Sequence, residues 1–215
     1  MDIRKLFSLE GRVALVTGAT HGLGMAVATA LAGAGATLAV NGHSADRLDK
    51  ALKTYENKGI DAKGYLFDVT DEQAVAEGVA RIEREVGPID ILVNNAGIIK
   101  RIPALEMTLP EWNEVIATDL TSPFLMSRAV AAGMIRRGHG KIVNMCSMMS
   151  EVGRSSVTAY AAAKGGLKML TKNLATEWAK HNIQVNGIGP GYFATEQTAP
   201  IRVNGNPFNE FIVSR

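Results

Sequence analysis

At 215 residues, 47% hydrophobic and 20% charged, the chain has the length and composition of one globular domain with ample apolar residues for a core. A formal net charge of +2, with no basic block and no aromatic-basic interleaving, argues against nucleic-acid and membrane-surface partners. The lone Cys146 excludes an internal disulfide framework and fits a reducing compartment; behind Ile142, Val143, Asn144 and Met145 it reads as a small buried residue. Residues 1–7 carry charges where a signal peptide needs its apolar core, and no run approaches the roughly 18 apolar residues of a membrane span, so the cytoplasm is the expected location.

Short β-branched apolar runs at 13–17, 37–41, 64–69, 89–94, 141–145 and 184–188 alternate with helical patterns at 22–32, 44–58, 71–86, 110–136 and 159–181. Thr70 with Gln73 and Thr108 with Glu111 read as capping boxes, and Ser44 as the cap of the helix after the second strand. Strands apolar on both faces, each followed by a helix, predict an α/β fold. The expected form is a three-layer, Rossmann-type, doubly wound parallel sheet, one domain over 1–215 with the substrate site built on its loops. Ligands of such sheets bind beyond the carboxyl ends of the strands, where strand order reverses. The unusual clusters fall at those ends: 18–24, 94–97, Ser147 and 189–192.

Gly18, Gly22 and Gly24 punctuate the first of these, with Thr20, His21 and Leu23 between them. Glycines after a strand and before a helix let the backbone turn tightly and approach a pyrophosphate resting on the helix N-terminus. The second strand ends in Asn41, Gly42, His43 and Ser44, with no acid before Asp46 and with Arg47 one turn on. A carboxylate there would bind the adenosine ribose hydroxyls and repel a 2′-phosphate. Its absence favours NADP(H), with NAD(H) as the alternative. Asp68 and Val69 close the third strand beside the adenine position, and Asn95, Ala96 and Gly97 close the fourth against the cofactor.

Tyr160 and Lys164 stand four residues apart, which on a helix sets the ammonium beside the phenol. A phenol titrates near ~10 and is a poor base at neutral pH, whereas a fixed neighbouring cation favours the phenolate, an arrangement suited to moving a proton on and off a hydroxyl or carbonyl oxygen. Ser147 lies thirteen residues before Tyr160, and Pro190-Gly191 follow the sixth strand. The four histidines, His21, His43, His139 and His181, are scattered and suggest no metal site.

Thr17-Gly-x-x-x-Gly-x-Gly24, Asn94-Asn-Ala-Gly97, Ser147, Tyr160-x-x-x-Lys164 and Pro190-Gly191, in this order, resemble the short-chain dehydrogenases/reductases. The detail at 6–11, 94–99, 146–154 and 181–192 resembles the gluconate 5-dehydrogenase branch, close to 2-deoxygluconate and related sugar-acid dehydrogenases. The resemblance implies hydride transfer between NADP(H) and a sugar acid. Tyr160 would be general acid/base, with Lys164 favouring its ionised form and holding the nicotinamide ribose. Ser147 would bond the substrate oxygen and Thr195 the carboxamide. A 2-deoxygluconate 3-dehydrogenase or another polyol dehydrogenase is the rival within the family; a non-catalytic nucleotide-binding protein is the rival outside it. A homo-oligomer, tetramer or dimer, is implied as well.

A sugar-acid carboxylate needs a cation, for which Arg101 and then Arg154 are the candidates, because a guanidinium grips a carboxylate through two donors. Two departures from the family pattern stand out. Asp119 occupies the place of the usual catalytic asparagine. A helix with apolar Phe208, Phe211 and Ile212 begins at Asn206, but no seventh strand follows, which makes 195–215 read as a truncated substrate lid and leaves strand six as an uncovered edge.

Overall fold

Each apolar run gives a parallel strand, and the periodic segments give helices, the one expected at 110–136 as two. The computed structural model describes residues 3–203, 205, 209, 210 and 214. In chain order the elements are α1 (Ile3–Leu6), β1 (Val13–Val16), α2 (Gly22–Gly33), β2 (Thr37–Gly42), α3 (Ala45–Glu56), β3 (Ala62–Leu66), α4 (Glu72–Glu85), β4 (Ile89–Asn94), α5 (Leu109–Ile116), α6 (Ser122–Arg137), β5 (Gly140–Met145), α7 (Thr158–Trp178) and β6 (Ile183–Ile188). The six strands pair in parallel in the order β3-β2-β1-β4-β5-β6, which reverses between β1 and β4. This is the Rossmann-type doubly wound sheet that the alternation predicts.

The strand period of two divides the core into two layers. Val13 and Leu15 face one side with Ile82 of α4, Met126, Val130 and Met134 of α6, and Leu174 and Trp178 of α7. Ala14 and Val16 face the other with Ala28 of α2 and Leu48, Ala51 and Tyr55 of α3. No helix among the described residues is long and apolar enough to cross a membrane. The helix expected from Asn206 falls outside the described residues apart from Asn209 and Glu210.

Several boundaries differ from the sequence pattern. The third strand ends at Leu66, so Asp68 and Val69 follow it; there Asp68 Oδ1 accepts from both the N–H and the hydroxyl of Thr70 at 2.8 Å, closing a turn. That commitment removes Thr70 as a cap, and Asp71 caps α4 instead by accepting from the Ala74 N–H at 3.0 Å. Thr108 and Glu111 form the expected capping box on α5, whereas Ser44 stands at the N-cap of α3 without a side-chain bond to it.

The long helix expected at 110–136 is interrupted: residues Ala117–Thr121 make a π turn between α5 and α6. Pro123 accounts for the break. It has no N–H to give to the carbonyl of Asp119, and its ring crowds that carbonyl, so the backbone widens by one residue and Ser122 N–H bonds Ala117 instead. The hydroxyls of Thr118 and Ser122 reach the carbonyls of Glu114 (2.9 Å) and Thr118 (2.7 Å).

Tyr55 is fully buried in the layer beneath the loop after β1, and its hydroxyl donates to the Ala19 carbonyl at 2.8 Å. Burial pushes its phenol up, so it remains a protonated donor. Tyr55→Phe leaves that carbonyl unpaired and is expected to lower the free energy of urea unfolding by about 1–2 kcal/mol.

Candidate active site

The loops after β1 and β4 meet at the reversal of strand order and are sewn together there. The hydroxyl of Thr17 accepts from the backbone N–H groups of Asn95 and Ala96, both at 3.0 Å. The Asn95 amide returns to the carbonyls of Thr17 (2.9 Å) and Gly18 (3.1 Å). Gly18 takes φ +60°, and a Cβ on it would lie 2.9 Å from the Ala96 Cα. A Cβ on Gly24 would lie 2.4 Å from the Gly18 carbonyl oxygen and from the Asn95 amide nitrogen. Glycine is therefore required at both positions by close backbone approach. The helix that starts here has no acidic residue in its first turn, and its N-cap residue, His21, makes no side-chain cap bond. The first-turn N–H groups thus form a seat for an anion at the positive end of α2.

On the other side of β4 the polar side chains are buried but paired. Asn94 donates to Asn144 Oδ1 (2.8 Å) and to the hydroxyl of Ser127 (3.0 Å), and Asn144 donates to the Thr171 hydroxyl (2.9 Å), which joins β4, β5, α6 and α7. This web fixes the height of α7, whose first turns carry Tyr160 and Lys164. Lys164 is 4% exposed; its Nζ donates to the Met145 carbonyl at 2.8 Å and stands 3.1 Å from Asp119 Oδ2 and 5.6 Å from the centre of the Tyr160 ring. Asp119 Oδ1 accepts from the Ile98 N–H at 2.7 Å. Burial pushes the Asp119 carboxyl up from its usual value, opposed by the Lys164 ammonium and by the Ile98 N–H.

Ser147 follows β5 and begins a short 3-10 turn (Met148–Ser150), its hydroxyl accepting from the Met149 N–H at 3.1 Å. Ser150 ties that turn to the Lys164 carbonyl at 2.9 Å, and the Met148 N–H bonds the Pro190 carbonyl at 3.2 Å, so the loops after β5 and β6 share an anchor. Cys146 is buried as expected, and burial pushes its thiol up, which keeps it protonated.

The two candidate arginines sit on neighbouring loops held by a backbone bond. Ser156 takes the left-handed φ of 63°, and its carbonyl accepts from the Ile102 N–H at 2.9 Å. Arg154 donates to the Tyr192 hydroxyl at 3.2 Å. Burial and then the charge of Arg154 lower the guanidinium of Arg101, so two cations face one part of the cleft. Lys100, just before Arg101, pairs with Glu114 instead.

A cleft of about 490 Å³ runs along the carboxyl ends of the strands and collects nearly all the residues expected from the sequence. Gly18, Thr20, His21, Gly22, Leu23 and Gly24 line one end with Gly42, His43, Asp68 and Val69; Asn95, Ala96, Gly97 and Asp119 line the middle. Ser147, Tyr160, Lys164, Arg101 and Arg154 line the other end, roofed by Pro190, Gly191 and Thr195. Ser44 does not line the cleft. Thr17, Ile98 and Tyr192 take roles in the site that no motif of the sequence assigns them. Thr17 could have been noticed as a buried hydroxyl immediately before the glycines; Ile98 acts through its backbone and leaves no side-chain signal.

A family model described as short chain dehydrogenase matches residues 12–205. The chain is a short-chain dehydrogenase. Among its relatives, a 2-dehydro-3-deoxy-D-gluconate 5-dehydrogenase of Formosa agariphila is 64% identical over 98% of this chain and 80% of its own length. A gluconate 5-dehydrogenase of Gluconobacter oxydans is 48% identical over 98% and 82%. A solved gluconate 5-dehydrogenase from Burkholderia cenocepacia, in complex with NADP and tartrate, superposes with a TM-score of 0.93 at 38% identity, over 99% of this chain and 83% of that one.

The close approach at Gly24 has a direct test in this short-chain dehydrogenase. Gly24→Ala drives a methyl group into the Gly18 carbonyl and is expected to lower the free energy of urea unfolding by about 1–3 kcal/mol.

Proposed function

We propose that the protein is an oxidoreductase that exchanges a hydride between NADP(H) and a sugar acid, interconverting gluconate and 5-ketogluconate. The observation that carries this reading is one cleft with a glycine-lined anion seat at one end and Tyr160, Lys164 and two arginines at the other. The residues fit the dinucleotide: Gly18, Gly22 and Gly24 with the start of α2 would hold the pyrophosphate. Asp68 and Val69 would border the adenine, Asn95, Ala96 and Gly97 the middle of the molecule, and Pro190, Gly191 and Thr195 the carboxamide. Gly42 and His43 line the cleft with no carboxylate between them and Asp46 to repel a 2′-phosphate, and the NADP-bound Burkholderia relative supports the same preference. When bound, the nicotinamide supplies two-electron hydride chemistry at the substrate carbon.

The chain's own groups supply placement and proton handling. Tyr160 Oη takes the hydroxyl proton in oxidation and returns it in reduction, and Ser147 bonds the same substrate oxygen. Lys164, anchored on the Met145 carbonyl, presents a fixed cation beside the phenol. Arg101, backed by Arg154 and Tyr192, grips the carboxylate and so sets which end of the sugar chain enters first. The 64% identical Formosa relative favours 2-dehydro-3-deoxy-D-gluconate as the second substrate to test, a sugar acid with the same carboxylate.

The whole chain serves, on this reading, as one dinucleotide-binding domain with its substrate site on the loops, and the segment from Thr195 onward as a substrate lid. Support for the lid comes from Ile201, buried within the short helix Glu196–Ile201, and from Thr195, which stands 3.8 Å from where a Gly22 Cβ would be. A cytoplasmic homo-oligomer, dimer or tetramer, completes the proposal, supported by apolar side chains left exposed on α6 and α7, Phe124 and Met169.

A panel of keto-acids assayed with NADPH tests the activity; oxidation of NADPH with 5-ketogluconate or a 3-deoxy analogue is expected, and cofactor binding without turnover on any member defeats the enzyme reading. In fluorescence titration NADPH is expected to bind more tightly than NADH. Arg101→Ala should raise KM for the sugar acid about ten- to a hundredfold while leaving KM for an uncharged polyol nearly unchanged.

A further inference from the structure

Asp119 is a buried charged group of the cleft that substrate and cofactor binding leave without a task. It is fully buried on the π turn, and both of its oxygens face donors: the Ile98 N–H at 2.7 Å on Oδ1 and the Lys164 ammonium at 3.1 Å from Oδ2. An ionised carboxylate, which only accepts, suits this setting: Oδ1 takes the Ile98 hydrogen bond, and the buried Oδ2, which makes no hydrogen bond, faces the Lys164 charge. Lys164 in turn stands 5.6 Å from the centre of the Tyr160 ring. A carboxylate pressed against this ammonium cancels much of the field that the ammonium casts on the phenol, because opposite charges in a pocket of low dielectric offset each other at short range.

The other groups around this trio cannot do the same. Arg101 and Arg154 are cations on the substrate side, with the Tyr192 phenol bonded to Arg154. The Cys146 thiol behind Lys164 is kept neutral by burial. Glu151 is held by Lys168, and Glu114 by Lys100, all four side chains partly exposed. Among the described residues Asp119 is the anion within ion-pair distance of Lys164.

We infer that Asp119 is a positioning residue that offsets the charge of Lys164, and so moves to higher pH the range in which Tyr160 exchanges its proton. The inference rests on Tyr160 as the proton-transfer group. Asp119→Asn removes the charge and keeps an acceptor for the Ile98 N–H. In the protein without cofactor, the phenolate absorbance that Tyr160→Phe abolishes should then develop about 1 pH unit or more lower than in the unaltered protein. The acid limb of the pH profile for alcohol oxidation should move the same way. A folded Asp119→Asn protein whose absorbance and profile stay in place, or move to higher pH, overturns the inference. Asp119→Ser serves as the neutral variant if the amide does not fold, and failure of both to fold assigns the charge to stability and overturns the inference equally. Turnover retained in Tyr160→Phe would instead remove the proton-transfer reading itself, which keeps the two failures apart.

Discussion

The close approach of two loops at the centre of the sheet governs this molecule. Where β1 and β4 lie side by side and the chain winds away in opposite directions, a crevice opens that neither neighbouring helix covers. Thr17 and Asn95 exchange hydrogen bonds across it, and glycines at 18 and 24 let backbone approach backbone where any side chain would separate them. The anion seat at α2 faces the cleft because of this contact, and Tyr55 supports it from below by holding the Ala19 carbonyl. The layer that carries the seat is thus coupled to the layer that carries the chemistry.

The second half of the cleft is built on buried polarity. Asn94, Ser127, Asn144 and Thr171 satisfy one another inside the core, so the strand ends and α7 share one register. Replacing such a web with apolar residues would leave the layers free to slide; satisfied, it fixes Tyr160 and Lys164 against Ser147. The Asp119–Lys164 pair is a different case. Its desolvation cost makes it poor evidence for stability, and the position of its Lys164 beside Tyr160 points to function.

Much of this was legible from the sequence because the signals were local. Periodicity revealed the strands and most helices, and glycine spacing and the Tyr160–Lys164 interval marked both ends of one cleft. What escaped were relations across the chain. Thr17 finds Asn95, and Tyr55 finds Ala19, through the fold and not through spacing. The π turn was hidden inside a continuous helical pattern, although Pro123 was the visible clue, since an interior proline breaks the i to i−4 ladder. The third strand, expected at 64–69, runs over Ala62–Leu66, because Phe67 and Val69 are buried after the strand has ended and its first residues carry no apolar signal. Ser44 looked like a cap, and its position proved right while its bond did not form.

The π turn gives one helical run two separate loyalties. Before it, Val115 packs with Ala159 and Ala163 beside Tyr160; after it, Met126, Val130 and Met134 pack on the sheet. One inserted residue rotates everything downstream by about 100° relative to an unbroken helix. A homologue that lost that residue would have to choose: keep α6 seated on the sheet and swing Asp119 away from Lys164, or keep the pair and unseat α6. Length in this short stretch is therefore constrained more tightly than identity, and insertions or deletions should be purged here even where substitutions are tolerated.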